Sequence, residues 1–167
     1  MEIIIRKFNE EDVPYKVKWI NDSANNKYLH YDMPLKEEKT LLWYNKVKHN
    51  TDRLDCTILC DGQPVGLIGL LNIDLKNKKA EFYICLGEKE FKSKGVARKA
   101  TELLIEDSFQ QLKLEKIYLY TEVENLKAQT LFERVGFVRE GLLRKDLIYN
   151  GQKIDRYVYS FIIDDYN

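Results

Sequence analysis

The chain has little of what many catalytic and binding schemes need. It carries only three cysteines and two histidines in 167 residues. Cys56, Cys60 and Cys85 are odd in number and lack CxxC spacing, which argues against a disulfide framework or a zinc site. On one strand, Cys56 and Cys60 would lie about 13 Å apart, too far to share a metal, so all three read as structural thiols. His30 and His49 come without an HExxH or Cys-His cluster, and a histidine-based triad is not expected. No metal is expected. Lys and Arg number 27, as do Asp and Glu, and the zero net charge excludes nucleic-acid binding driven by bulk electrostatics. No apolar run is long enough to cross a bilayer, and Met1-Glu2-Ile3-Ile4-Ile5-Arg6 lacks the layout of a signal peptide. These features predict a cytoplasmic protein with no membrane partner. The length and the 44% hydrophobic content suit one domain over residues 1–167, without repeats or an evident linker.

Periodicity and turn chemistry supply the elements that are there. A strand is expected over Ile3 to Phe8, followed by a helix capped by Asn9 and reaching Ile20 or Asn21. A second helix is expected from Lys36 to about His49, with Leu41, Leu42, Tyr44 and Val47 as its buried stripe. Asp61-Gly62 joins strands at Cys56 to Cys60 and Val65 to Ile73, and the turn Leu75 to Lys79 leads into a strand from Ala80 to Leu86. Val96, Ala100, Leu103 and Leu104 then recur at helical spacing, ahead of a strand over Lys116 to Val123. A helical crossover suits parallel pairing of these two strands. Asn125 can cap a short helix ending near Arg134 at Gly136, and Asn150-Gly151 turns between strands at Leu142 to Tyr149 and Lys153 to Ile163. The order β-α-α-β-β-β-α-β-α-β-β describes an α+β protein with a mixed, mostly antiparallel sheet flanked by helices.

The most informative stretch is Lys92-Ser93-Lys94-Gly95-Val96-Ala97, a basic loop between a strand and a helix. Unpaired N–H groups and the dipole at a helix N-terminus stabilise an anion there, and Arg98 and Lys99 add charge. Gly95 is followed by Val96 rather than Lys-Ser/Thr, which excludes a nucleotide-triphosphatase loop. A single glycine in an antiparallel-looking context also excludes a dinucleotide fingerprint.

With Glu124-Asn125-Leu126-Lys127-Ala128 and Leu131-Phe132-Glu133-Arg134-Val135-Gly136-Phe137 downstream, the chain resembles the GNAT superfamily of N-acetyltransferases. The likeness covers almost the whole chain and is most specific from Ala80 to Gly141. It lies toward the branch of spermidine, ribosomal-protein N-terminal and nucleotide-amino-sugar acetyltransferases. The resemblance implies acetyl-coenzyme A as donor, with Ile84, Cys85 and Leu86 along the pantetheine arm and Lys92, Ser93, Lys94, Gly95, Val96, Ala97 and Arg98 around the pyrophosphate. Asn125, Ala128 and Phe132 correspond to positions beside the cofactor. Lys92 stands where Arg or Gln is usual, and Phe132 where many relatives carry a tyrosine that protonates the departing thiolate.

Acetyl transfer needs a neutral amine, whereas an alkylammonium has a pKa of about 10.4, so a base or water relay must remove a proton. Glu81 is the candidate base or amine-binding anion, because it precedes the pantetheine residues and shares side-chain parity with Tyr83 and Cys85. Tyr118 and Tyr120 share a strand face, and either can supply the phenol that Phe132 lacks. Trp19 and Tyr31, within an aromatic group that includes Tyr28, Trp43 and Tyr44, are candidate walls of the acceptor pocket together with Glu81. The expected acceptor is the primary amine of a small molecule, a nucleotide-linked amino sugar or a polyamine. A protein N-terminus is the alternative acceptor, and a coenzyme A-binding module with weak or lost catalysis is the alternative of another class. The hairpin at Asn150-Gly151 leaves room for a homo-oligomer.

Overall fold

The computed structural model describes residues 1–166. A seven-stranded sheet runs in the order β1-β2-β3-β4-β5-β7-β6. β1 (Ile3–Lys7), β2 (Leu54–Cys60), β3 (Gln63–Asp74) and β4 (Lys79–Leu86) form an antiparallel succession. β5 (Lys116–Glu122) is parallel to β4, and β7 (Gln152–Ile162) lies between β5 and the edge strand β6 (Val138–Tyr149). The single parallel pair is the one joined by a helix, as the crossover requires.

Among the described residues, four α-helices cover the two faces: α1 (Val13–Asn21), α2 (Glu37–Val47), α3 (Val96–Gln110) and α4 (Leu126–Val135). Val96, Ala100 and Leu104 of α3 and Phe132 of α4 share the larger core with Ile58, Ile68, Phe82, Ile117 and Tyr159 of the sheet. On the opposite face, Trp19 and Ile20 of α1 pack with Phe8 and Leu67, and Tyr31, Trp43, Tyr83 and Cys85 lie against them. Asp12 fixes how α1 enters: it is 1% exposed and takes Arg6 through two bonds of 2.6 and 2.9 Å, the Asn9 amide at 3.0 Å and the Thr57 hydroxyl at 2.8 Å. A buried carboxylate is tolerated when it is paired in this way.

Two expectations change. Leu42 is 65% exposed rather than part of the α2 stripe, and Trp43 turns inward, its ring edge-on to Phe8 at 5.9 Å. β6 starts at Val138 instead of Leu142, because breaks in register at Arg139/Gly141 and Leu143/Leu147 disturb the alternation that marks a strand. As an edge strand β6 leaves Val138, Leu142 and Ile148 exposed. No helix among the described residues is long and apolar enough to cross a membrane.

Candidate active site

The site begins where β4 and β5 part. They pair only through Lys79, Ala80 and Glu81 against Lys116, Ile117 and Tyr118. Beyond Glu81, β4 keeps its partners on β3 up to Leu86 but has none on β5, which leaves the backbone edge of Phe82 to Leu86 facing a gap. An extended arm carrying amide groups can hydrogen-bond to such an edge as an added strand would. On the β5 side, Thr121 is 5% exposed and its Oγ1 is the only buried side-chain polar atom among the described residues without a partner. A buried hydroxyl left unpaired is costly, so a polar ligand in the gap would satisfy it.

At the C-terminal end of β4, the basic loop delivers the chain into α3. Gly95 is the N-cap at φ +82°, and no side chain caps the first turn, so the amides of that turn have no partner within the helix. That left-handed conformation is what requires glycine here. The basic side chains differ in their freedom. Lys92 donates to Asn25 Oδ1, Arg98 is paired with Glu102 at 3.0 Å, and Lys94 is exposed. Val96 is 1% exposed, so only its backbone can meet an anion at the loop. The loop geometry therefore fits an anionic group held chiefly by main-chain N–H, with Ser93 and Ala97 beside it.

The gap has a polar wall on the face carrying α1 and α2. Glu81 is half-buried, accepts from Asn72 Nδ2 at 3.2 Å, and burial raises its carboxyl pKa above the ordinary range. Tyr118 lies in register with Glu81, and its ring meets that of Tyr120 edge-on at 5.9 Å. Burial, and then the charge of Glu81, raise both phenols, which keeps them protonated at neutral pH. Tyr120 lies two residues past the last β4–β5 pair, next to the gap, while the Arg156 guanidinium stacks over its ring at 4.5 Å and pairs with Asp146.

Trp19 corrects the sequence reading. It is 1% exposed and packs on Gly87, where an added Cβ would lie 2.1 Å from the ring. Its Nε1 donates to Glu88 at 2.8 Å, so Trp19 locks α1 to the end of β4 and walls no pocket. Phe132 is likewise core, 6% exposed with Phe82 and Phe137 edge-on at 5.8 and 5.5 Å. Asn125 caps α4 by accepting from Ala128 N at 3.3 Å, which fixes that helix beside β5. Ile84 and Leu86 pack against the larger core, and burial raises the Cys85 thiol to about 11, so it is inert as a nucleophile.

Sequence reasoning missed four side chains of the wall, those of His30, Glu122, Tyr149 and Lys16. His30 Nε2 lies 2.8 Å from Glu122 Oε2 on β5, the ring of Tyr149 meets His30 edge-on, and the Tyr149 hydroxyl donates to the Tyr31 carbonyl at 2.7 Å. These contacts draw residues 30–31 across the gap. The fourth is Lys16, buried on α1, whose only sequence signal was a lysine on an otherwise apolar helical stripe.

An acetyltransferase (GNAT) domain model matches residues 2–138. The spermidine N(1)-acetyltransferase of Escherichia coli is 31% identical over 149 residues, covering 89% of this chain and 79% of that protein. YdaF of Bacillus subtilis, named as a ribosomal N-acetyltransferase, is 36% identical over 109 residues, covering 65% of this chain and 59% of that protein. The crystal structure of spermidine N-acetyltransferase from Vibrio cholerae in complex with CoA and spermine superposes with a TM-score of 0.90 at 28% identity, covering 98% of this chain and 97% of that one.

Proposed function

The chain belongs to the GNAT acetyltransferase family, and from that premise we propose direct transfer of the acetyl group of acetyl-coenzyme A to the primary amine of a small molecule. The observation that carries the reading is the gap beyond Glu81, with an open β4 edge on one side and a carboxylate and two phenols on its wall. When bound, the donor supplies an activated thioester. The side chains and backbone of this chain do the rest.

The Phe82 to Leu86 edge and the first turn of α3 position the donor, through the residues named for the pantetheine arm and pyrophosphate. Glu81 takes a proton from the ammonium of the acceptor, freeing the nitrogen lone pair. Its raised pKa brings it closer to the working pH of a base. The free β4 amides can hold the charge that develops on the acyl oxygen. Tyr120, protonated and next to the gap, then gives its proton to the leaving sulfur, and its phenolate takes the remaining proton that the acceptor nitrogen must lose as the amide forms. This replaces the phenol missing at Phe132. Tyr118 orients Tyr120 and Glu81 from the closed end of the gap.

A polyamine is the acceptor that the named activities of the relatives support, with Glu81 and Glu122 as anions on the wall. A second reading, an amino sugar linked to a nucleotide, is favoured by one observation, the lysine-lined aromatic cavity beside this wall. A panel of spermidine, an amino-sugar nucleotide and an N-terminal peptide, assayed by thiol release from acetyl-coenzyme A, separates these readings. Turnover with a small amine is expected. Donor binding without turnover of any member would favour a binding module instead.

A further inference from the structure

Lys16 stands where a helix usually buries an aliphatic side chain. With Val13 and Ile20 it lies on the covered face of α1, and it is 8% exposed. No carboxylate pairs with it among the described residues. Asp55, whose charge reaches it, is already engaged: Arg53 holds Oδ2 at 2.7 Å and Oδ1 at 2.9 Å, and the Tyr83 hydroxyl donates to Oδ1 at 2.5 Å. The Lys16 ammonium lies instead against ring faces, 3.5 Å from the Trp43 centroid and 5.6 Å from that of Tyr31.

A ring face only partly replaces the water that a buried ammonium loses. The unmet charge borders a space. Lys16, Tyr31 and Trp43 line a cavity of about 540 Å³ together with Asp32, Lys36 and Lys39, so three lysines face it against one aspartate. Its volume falls within the range of small-molecule sites, and aromatic walls with a few converging polar groups are their usual lining.

We propose that this cavity binds an anion, a phosphate or carboxylate group, ion-paired to Lys16 on a floor of Trp43 and Tyr31, with Lys36 and Lys39 at its mouth. Desolvation lowers the Lys16 pKa to about 8, which is still above neutrality, so the ammonium keeps its proton and can pair with an anion. The same charges repel a polycation, so the distal ammonium groups of a polyamine would lie outside this cavity. The inference goes beyond the acetyl-transfer reading. The anion is either part of the acceptor itself, a phosphorylated or carboxylated amine, or a separate effector.

The test uses protein saturated with coenzyme A, so that the loop before α3 is already engaged. Calorimetric titration with inorganic phosphate, uridine diphosphate and succinate is expected to show binding of at least one. Lys16→Met should weaken it about tenfold or more, as loss of a charged partner does, whereas Lys76→Met on a remote exposed turn should not. Equal binding by Lys16→Met, or no binding of any probe to the unaltered protein, overturns the proposal. Thermal melting checks that Lys16→Met folds, and an apolar side chain there should be as stable as lysine or more so. Competition between the bound anion and the acceptor amine assigns the anion to the acceptor, and a change in kcat alone assigns it to an effector. Titrating the Glu81→Gln variant separates the two proposals: loss of turnover with intact anion binding leaves the cavity assignment standing.

Discussion

The donor half and the acceptor half of the site are built from chain segments of different kinds. β4, the loop through Gly95 and α3 follow one another directly, so the groups proposed to face the donor are backbone atoms of a single continuous stretch. The acceptor wall is joined by contacts across long spans of sequence. Trp19 meets Glu88 across 69 residues, His30 meets Glu122 across 92 and Tyr149 meets Tyr31 across 118. Main-chain recognition of the kind proposed tolerates substitution, which is consistent with Lys92 spending its ammonium on Asn25. Side-chain recognition does not tolerate it, and the acceptor wall is where relatives of one fold can differ.

The sharpest way to break the contrast is at Trp19, which holds α1 to the end of β4. Trp19→Ala is expected to cost about 3 to 5 kcal/mol in urea denaturation, because it leaves a large cavity and removes one of the two side-chain donors to Glu88, the other being Lys18. A small loss would mean that the acceptor half is not clamped to the sheet. Next comes the chemistry on the wall. Glu81→Gln should lower kcat about 100-fold with little change in the KM for acetyl-coenzyme A. In the unaltered protein kcat/KM should rise with pH along a limb above the ordinary carboxylate range, since the base works only when ionised and burial raises its pKa. That limb should vanish in the variant, and its survival would remove Glu81 from the reaction.

On the donor side, Gly95→Val places a branched side chain at φ +82° in otherwise open space. The strain should shift the loop and weaken coenzyme A binding about tenfold, with kcat at saturation nearly kept. The smallest effect expected separates the two phenols. Tyr120→Phe should lower kcat several-fold, about fivefold, while Tyr118→Phe changes it less than about twofold. Equal losses would mean that the end of the β4–β5 pairing does not locate the thiol.

Much of the fold was legible before any coordinates. The hairpins at Asp61-Gly62 and Asn150-Gly151 and the cap at Asn125 announce themselves through turn and cap chemistry, which acts over a few residues. The start of β6 was not legible, because bulges break its period, and the inward turn of Trp43 was not, because the helical stripe of α2 is set by what packs on it. For the site, Glu81 and the tyrosine pair could be named from strand parity, but the choice of Tyr120 needed the place where pairing stops. Trp19 failed as a pocket residue because aromatic composition cannot tell a wall from a core.

The sequence by itself determined most of the architecture, and through its likeness to the GNAT superfamily it also pointed to the acetyl donor. A glycine in the left-handed region before a helix, an Asn cap and a strand of known parity are local consequences of residue type. Only the tertiary structure decided that β4 and β5 separate after Glu81, that residues 30–31 cross the gap, and that Lys16 is buried without a carboxylate partner beside a cavity. Those depend on which distant surfaces meet, and the free energy of burying or pairing a charge is fixed by everything around it rather than by its neighbours along the chain.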